Sequence, residues 1–590
     1  MACSKCARLL LLLRRYRATH VSHTPLLTIN FTAQAGLMVT FGSLSETATE
    51  IRKYSKELYH TVLEEETGQA TGFMPVGFIE LATTQDRLEE YRRVAAFNRR
   101  CGVDVREISP AEVLSLFPLC NVTDVVAGFY VESDGRVNPV DACMALAKGA
   151  KQNGVQIFEG VTVDEVTRSS GKVSGVKVTD ANGEKATVEA DIVVNCAGMW
   201  ARQLGELNGV AVPNQAAEHY YYLTEPMADV DPSWPVVEDP SSYTYIRPEG
   251  GGLMVGMFEG EGAPWHVDGI PDGSSYLTLD PDFDRMAPYL EKAMARVPRT
   301  LEVGMKSLFC GPESFTPDLA PMVGEAPELR NYYVAAGLNS IGILSGPGIG
   351  RVLARWIVQG APDARDDVTG MNLDRLHRFQ ANPMFRADRV KESLGNVYKC
   401  HYPTKAVQSA RGARRSPLHD RLATAGAQFT DVSGWESPEW FNIEHDVPAP
   451  ASLTNTKEKD GSSETEKTVE FVPKLTPTEC SALSWGKHKW FPMWEREHRA
   501  CREGVVLIDM SFMSKFLVQG PDAGAVLDRL STAAVDGGVE TGTISYTQWL
   551  DPRGLLEADL TVNKLDLAYC SCVLTYFSYF SYLLKFYCLI

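Results

Sequence analysis

Between residues 45 and 102 the apolar positions recur at helical spacing. Ile51, Tyr54, Leu58 and Val62 fall on one face of a stretch from Ser45 to Thr67, and Gly68 supplies the stop. Thr84 to Gly102 reads as a second helix, charged on one face. The period then shortens. Val161 to Val166 and Val173 to Val178 read as strands joined through a Ser-Ser-Gly turn, and Ile192 to Asn195 as a short buried strand followed closely by Gly198. Helix and strand alternate from about residue 36 to 360, which predicts an α/β class. Asp366 to Pro403 is polar and mixed, as in a connecting domain, and Arg411 to Arg415 is a basic hinge that a solvated charge run explains. Thr454 to Lys467 is a polar linker or loop of low complexity. From Val505 to Leu565 a β-rich pattern returns, with turns at Gly520-Pro521 and Asp551-Pro552-Arg553-Gly554.

The two ends differ from this body. No Asp or Glu precedes Glu46, while Arg8, Arg14, Arg15 and Arg17 surround a leucine run. That composition is expected of a mitochondrial transit peptide, with a gene-model artefact as the alternative. Leu567 to Leu584 is uncharged and rich in Tyr, Phe and Leu. Its length just passes for a membrane span, but its Ser and Tyr content suits lipid poorly, so no firm membrane association is expected. A length of 590 residues suggests several domains. The net charge of −18 argues against a nucleic-acid partner. The 13 cysteines form no paired CxxC set, so neither a metal site nor a disulfide framework is expected.

Two turns have the shape that chemistry needs. Val193 to Asn195 runs into Cys196-Ala197-Gly198-Met199-Trp200, where small residues allow close backbone approach to a ligand. Val334 to Ala336 runs into Gly337-Leu338-Asn339-Ser340-Ile341-Gly342-Ile343, then Leu344-Ser345-Gly346-Pro347-Gly348, with a helix expected afterwards. Tight packing explains either turn equally well. His219 lies in an aromatic strand, as does Tyr245 two residues before Arg247; spacing alone gives none of them a catalytic role. No G-x-G-x-x-G unit precedes Gly36, so the phosphate cradle of a dinucleotide-binding domain is missing there.

Taken together, NCAGMWAR (195–202), CGPESFTPDLAPMVGEAPELRNYYVAAGLNSIGI (310–343) and GWESPEWF (434–441) resemble the sarcosine and dimethylglycine dehydrogenase family of FAD-dependent amine oxidoreductases. The resemblance implies an α/β and α+β multidomain chain. Residues 1–35 would be a divergent leader and 36–360 the FAD-dependent oxidoreductase domain, without its N-terminal Rossmann strand-loop-helix. Residues 361–415 would be a connecting domain, 416–565 a truncated folate-binding domain like the glycine-cleavage T-protein, and 566–590 a divergent apolar tail.

The implied reaction is oxidative N-demethylation of sarcosine to glycine. The one-carbon unit goes to tetrahydrofolate or formaldehyde, and the electrons to electron-transferring flavoprotein in the mitochondrial matrix. The resemblance gives His219 and Tyr245 catalytic roles and suggests Arg247 as a partner for the substrate carboxylate. It places Ala197, Gly198, Trp200, Gly337, Asn339, Ser340, Gly342 and Ile343 on FAD. Dimethylglycine oxidation is the alternative, as is a non-catalytic relative resembling the pyruvate dehydrogenase phosphatase regulatory subunit. One departure bears on the cofactor: the family tethers FAD through a His in His-x-Ala-Gly-Leu, and Ala33 stands at that position here. Weak or no flavin binding follows, together with a parallel sheet left open at its first strand.

Overall fold

The computed structural model describes residues 9–14, 17–22, 35–271, 274, 277–448, 469–552, 554–566 and 569–574. Thr454 to Lys467 and Ala33 lie outside the described residues. The chain divides into two compact units, residues 1–402 and 403–590. The break falls within the connecting segment.

Two sheets organise the first unit. A six-stranded sheet runs Met322–Glu325, Tyr332–Ala336, Ile192–Asn195, Leu9–Arg14, Arg17–Ser22, Gln156–Glu159. Tyr332–Ala336 and Ile192–Asn195 pair in parallel, as a βα-type sheet requires. The expected gap beside Ile192–Asn195 is not open. Leu9–Arg14 pairs antiparallel to that strand, and Arg17–Ser22 returns to pair in parallel with Gln156–Glu159. Leader residues thus supply the backbone partners that the sheet edge needs. The uncharged tail also contributes a strand, Tyr569–Leu574, in the second unit. Among the described residues no helix is long and apolar enough to cross a membrane.

The second sheet has eight strands: Met305–Phe315, Gln215–Thr224, Gly252–Met257, Thr244–Glu249, Val236–Asp239, Phe78–Ala82, Ala127–Val131 and Arg106–Ile108. Side chains alternate between its faces with period two. Tyr220, Tyr222, Ile246, Val255 and Met257 point into one core with Met286 and Leu290 of the Phe283–Arg296 helix. His219, Tyr221, Tyr245, Met254 and Phe258 occupy the sequence positions between them.

The helices follow the apolar pattern closely. Ser45 caps Glu46–Glu57, the next five residues are a π-turn, and the helix ends at Gly68 with φ +64°. Thr84 caps Gln85–Arg100. The glycine-rich run behaves differently from expectation. The helix begins at Gly342 and continues to Gln359, with Pro347 inside it. The run is therefore a packing surface as well as a turn. The Gly348 amide donates to Ser55 Oγ at 3.1 Å, and a Cβ on Gly348 would stand 2.5 Å from the Ile51 carbonyl oxygen.

The second unit pairs Ala427–Val432 with Trp435–Phe441 and carries a four-stranded antiparallel sheet, Lys515–Gln519, Tyr569–Leu574, Leu556–Asp566, Ile544–Leu550. Leu527, Val535, Trp549, Leu560 and Val562 form its small core. The basic hinge is not merely solvated: Arg411 pairs with Glu436, and the Arg414 guanidinium lies 4.0 Å from the Trp435 ring centroid.

Gly348→Ala forces the two helices apart. It should cost about 1–3 kcal/mol, as overpacking does, read as a lower urea midpoint with an unchanged slope. An unchanged midpoint would show that the crossing is looser than described.

Candidate functional site

The site grows out of strand register. Tyr221 pairs with Gly256, Gly256 with Tyr245, Tyr245 with Glu238, and Glu238 with Glu80, giving one row across five strands. Gly256 leaves a gap in that row. The Tyr245 ring fills it, so that a Cβ on Gly256 would lie 1.8 Å from ring carbons. Tyr221 stacks on Phe309, its cross-strand partner on the other side, with centroids 4.9 Å apart. Phe258 stacks at 10° on Tyr398 and lies 5.4 Å from Tyr245.

These side chains border a cavity of about 180 Å³. Its walls include His219, Tyr221, Tyr245, Glu80, Glu238 and Arg52. Ala35, Gly36 and Leu37 line it as well, as do Ser340, Ile341 and Ile343 at the start of the Gly342–Gln359 helix. Four residues singled out from sequence therefore meet in one place: His219, Tyr245, Ser340 and Ile343.

The other sequence candidates sit elsewhere. Ala197, Gly198 and Trp200 are buried, and Ala197 and Trp200 pack in a core with Val193, Val210 and Tyr332. Gly337 has φ +66°, and a Cβ there would meet Thr316 at 2.4 Å. Asn339 clamps the turn: its Oδ1 accepts from the Thr316 amide at 2.8 Å, and its Nδ2 donates to Gly337 O at 2.8 Å. Gly342 is buried as the first residue of its helix. Asn339 and Ser340 both adopt positive φ, +49° and +67°. This strained turn carries Ser340 and Ile341 to the cavity wall. Arg247 does not line this cavity; it borders a second one and pairs with Glu249.

Several contributors escaped the sequence reading. The His219 Nδ1 lies 2.8 Å from Glu259 Oε2, and Glu259 is fully buried. A carboxylate only accepts, so Nδ1 is the donor in this pair. Burial raises the Tyr245 phenol far above its usual range, so it stays a hydrogen-bond donor at neutral pH. Glu80 and Glu238 are neighbours across parallel strands. Burial pushes Glu80 up to about 7 against the pull of Arg87 and Arg52. Burial also raises Glu238 well above the ordinary carboxylate range, with Glu80 adding to it. Arg52, lowered by burial, faces both and donates to the Phe41 carbonyl at 2.7 Å. A carboxylate inside an apolar strand, as in Phe78-Ile79-Glu80-Leu81, was the signal available.

The flavin ring can be tested against this cavity. The Gly342–Gln359 helix has no side-chain cap at its N-terminus, so its first amides are left for another acceptor at the cavity wall. Gly36 turns with φ +65°, where a Cβ would strike Val137 O at 2.2 Å, and its neighbours Ala35 and Leu37 line the cavity too. Flat aromatic walls and uncapped amides suit the ring. For the dinucleotide, the described residues show an antiparallel hairpin beside Ile192–Asn195 and no glycine cradle.

The raised Glu80 acid fixes a pH dependence. In the unfolded chain its carboxyl ionises near the ordinary value of about 4.3, while in the folded chain it holds its proton to about 7. Its contribution is thus greatest at acid pH and is lost as pH rises through 7. Glu80→Gln should melt higher than the parent chain at pH 8, and the difference should shrink steadily on acidification. A difference independent of pH would contradict the assignment.

Residues 26–356 match the model of the FAD dependent oxidoreductase family, 360–416 its central domain, and 418–578 the GCVT N-terminal domain. Mitochondrial sarcosine dehydrogenase of Mus musculus is 33% identical over 88% of this chain and 55% of that protein. The 4-methylaminobutanoate oxidase (formaldehyde-forming) of Paenarthrobacter nicotinovorans is 36% identical over 90% of this chain and 60% of its own length. The mitochondrial pyruvate dehydrogenase phosphatase regulatory subunit of Mus musculus is 34% identical over 90% and 56%. The chain spans little more than half the length of these relatives. Glycine oxidase from Geobacillus kaustophilus superposes with a TM-score of 0.50 at 25% identity, covering 61% of this chain and 92% of that one. The chain belongs to the FAD dependent oxidoreductase family, with a GCVT N-terminal domain following the oxidoreductase part.

Proposed function

We propose that the chain carries the amine-oxidising part of a FAD-dependent N-methyl amino acid dehydrogenase. The carrying observation is the cavity that unites His219 and Tyr245 with the uncapped start of the Gly342–Gln359 helix. The reaction is oxidative N-demethylation, with sarcosine as the substrate that the resemblance implies and dimethylglycine as the alternative. Bound FAD would supply the hydride acceptor. Residues 36–360 and 361–415 would form the oxidoreductase and connecting domains. Residues 416–565 would bring tetrahydrofolate to the released one-carbon unit, which otherwise leaves as formaldehyde. Electron-transferring flavoprotein would take the electrons, in the mitochondrial matrix.

The chain's own residues prepare the amine. An N-methyl ammonium cannot give up hydride until it loses a proton; His219, a wall of the cavity, would take that proton, and Glu259 would steady the resulting cation through Nδ1. Tyr245 remains a phenol, which keeps its hydroxyl able to donate. Phe258, Tyr398 and Tyr221 exclude water from the reacting face. Ser340 and Ile343, on the clamped turn and first helical turn, would lie against the flavin ring, with Asn339, Gly337 and Gly342 setting that turn. Ala197, Gly198 and Trp200 belong to the same proposed cofactor region, through backbone rather than exposed side chains.

Ala33 in place of the tethering His favours a second reading, a non-catalytic regulatory relative that binds a partner without turning over an amine. Formaldehyde release separates the two. With excess FAD and an artificial electron acceptor, the chain should release formaldehyde from sarcosine. His219→Ala should lower the rate by about 10²–10⁴, the usual range for loss of a general base. No formaldehyde, or an unaltered rate in the variant, would overturn the dehydrogenase reading.

A further inference from the structure

Tyr398 borders the cavity and stacks on Phe258, with ring centroids 3.4 Å apart. It belongs to residues 397–402, which follow the Pro383–Asn396 helix without regular secondary structure. The base of this segment is fixed. A Cβ on Gly395 would stand 2.1 Å from the Gly260 carbonyl oxygen, so the two backbones are in contact there. The far end hangs on one buried carboxylate. Glu90, 4% exposed, sits on the Gln85–Arg100 helix. Its Oε1 accepts from the His401 amide and from His401 Nδ1, both at 2.9 Å. Its Oε2 accepts from Arg87 Nη1 at 2.7 Å, and Arg87 Nη2 donates to the Tyr398 carbonyl oxygen at 2.7 Å. The Tyr402 hydroxyl donates to Asp86 Oδ2 at 2.6 Å.

The His401 ring faces an acceptor on each side. Nδ1 meets the Glu90 carboxylate, and Nε2 meets the Asn396 carbonyl oxygen at 3.0 Å. Neither a carboxylate nor a carbonyl can donate, so both ring nitrogens do, which only the imidazolium achieves. A neutral ring satisfies one of the two contacts. Histidine changes charge between about pH 5 and 8, and solvent reaches this one, whose side chain is 56% exposed. Most groups packed around it keep their charge over that range. Burial opposes the Glu90 carboxylate, but His401 and Arg87 hold it below its ordinary value. Burial likewise opposes the Arg87 cation, and Tyr91, Glu90 and Glu80 outweigh it. Burial pushes the Cys400 thiol up to about 11 and the Tyr402 phenol above its usual range, so both stay neutral. Glu80, which faces Arg87, is the exception, since burial brings its titration to about 7.

We propose that residues 397–402 are a proton-operated latch on the cavity, with Glu90 as its positioning residue. With His401 protonated, Glu90 and Arg87 hold the segment, and Tyr398 stays against Phe258 in the wall. Loss of the His401 proton removes one of the two ring contacts and the positive charge beside Glu90, and Tyr398 leaves the wall more readily. The latch is therefore tight on the acid side and loosens as pH rises through the histidine range. It rests on the amine-oxidising reading only in taking a flavin ring as what the cavity holds.

Hydrogen exchange of the full chain tests the latch without any ligand. It is read by mass spectrometry on peptides covering 397–402 and corrected for the intrinsic rate at each pH. Protection should fall by about two- to fivefold between pH 6 and pH 8.5, the scale of a half-exposed ion pair. His401→Gln, neutral at both pH values, should show the lower protection throughout. Protection that ignores pH overturns the latch, as does a pH dependence that survives His401→Gln, which would trace it to Glu80. Fluorescence titration with lumiflavin then reads the cavity. At pH 6 His401→Gln should bind it about two- to fivefold more weakly than the parent chain. Equal affinity overturns closure of the cavity by this segment. If protection follows His401 but neither chain binds lumiflavin, the flavin reading fails while the latch stands.

Discussion

The site depends on one missing side chain. Gly256 sits between Tyr221 and Tyr245 in the register of the eight-stranded sheet, and the Tyr245 ring lies across the space it leaves. Any Cβ there would displace the ring. The ring borders the cavity that His219 also lines, with Phe258 beside it and Tyr398 stacked on Phe258. A sheet offers this precision because its side-chain period is two: a slip of one residue would send His219, Tyr221 and Tyr245 into the opposite core and bring Tyr220, Tyr222 and Ile246 to the cavity.

The electrostatics follow from the same register. Pairing Glu238 with Glu80 places two carboxyl groups side by side in a space walled by aromatic rings. Burial favours the neutral form of each, so the pair enters neutral pH holding more protons than free carboxyls would. Against this acidic wall stand Arg52 and the uncapped amides of the Gly342–Gln359 helix. The cavity therefore has one side suited to an amine and another suited to partial negative charge on a flat ring.

Much of the fold is legible in the sequence because it rests on local pattern. Ser45, Thr84 and Gly68 mark helix ends by capping and by backbone freedom, and the Ser-Ser-Gly turn joins the two valine-rich strands. His219 and Tyr245 are legible as strand residues, but their meeting is a product of register across Gly256, which no local signal carries. The glycine-rich run misleads for a related reason. Gly348 looks like a loop residue, yet its small size serves the close approach of the helix carrying Ile51, almost three hundred positions away in sequence. Leu9–Arg14 and Arg17–Ser22 pair within the sheet, a placement that their leucine and arginine composition does not signal. Glu259 and Glu90 carry no sequence signal of their own, since their importance comes from what burial places against them.

The account holds that the chain retains the ring-facing part of a flavin site while its described residues give the dinucleotide no glycine cradle. Binding of lumiflavin, the bare ring system, compared with FAD by fluorescence quenching, tests this most directly. The account predicts saturable lumiflavin binding that Gly256→Val abolishes, with FAD no more than about tenfold tighter, a difference of 1.4 kcal/mol. Absence of lumiflavin binding, or binding indifferent to Gly256→Val, would contradict the cavity assignment. FAD binding many orders of magnitude tighter than the bare ring would contradict the missing cradle.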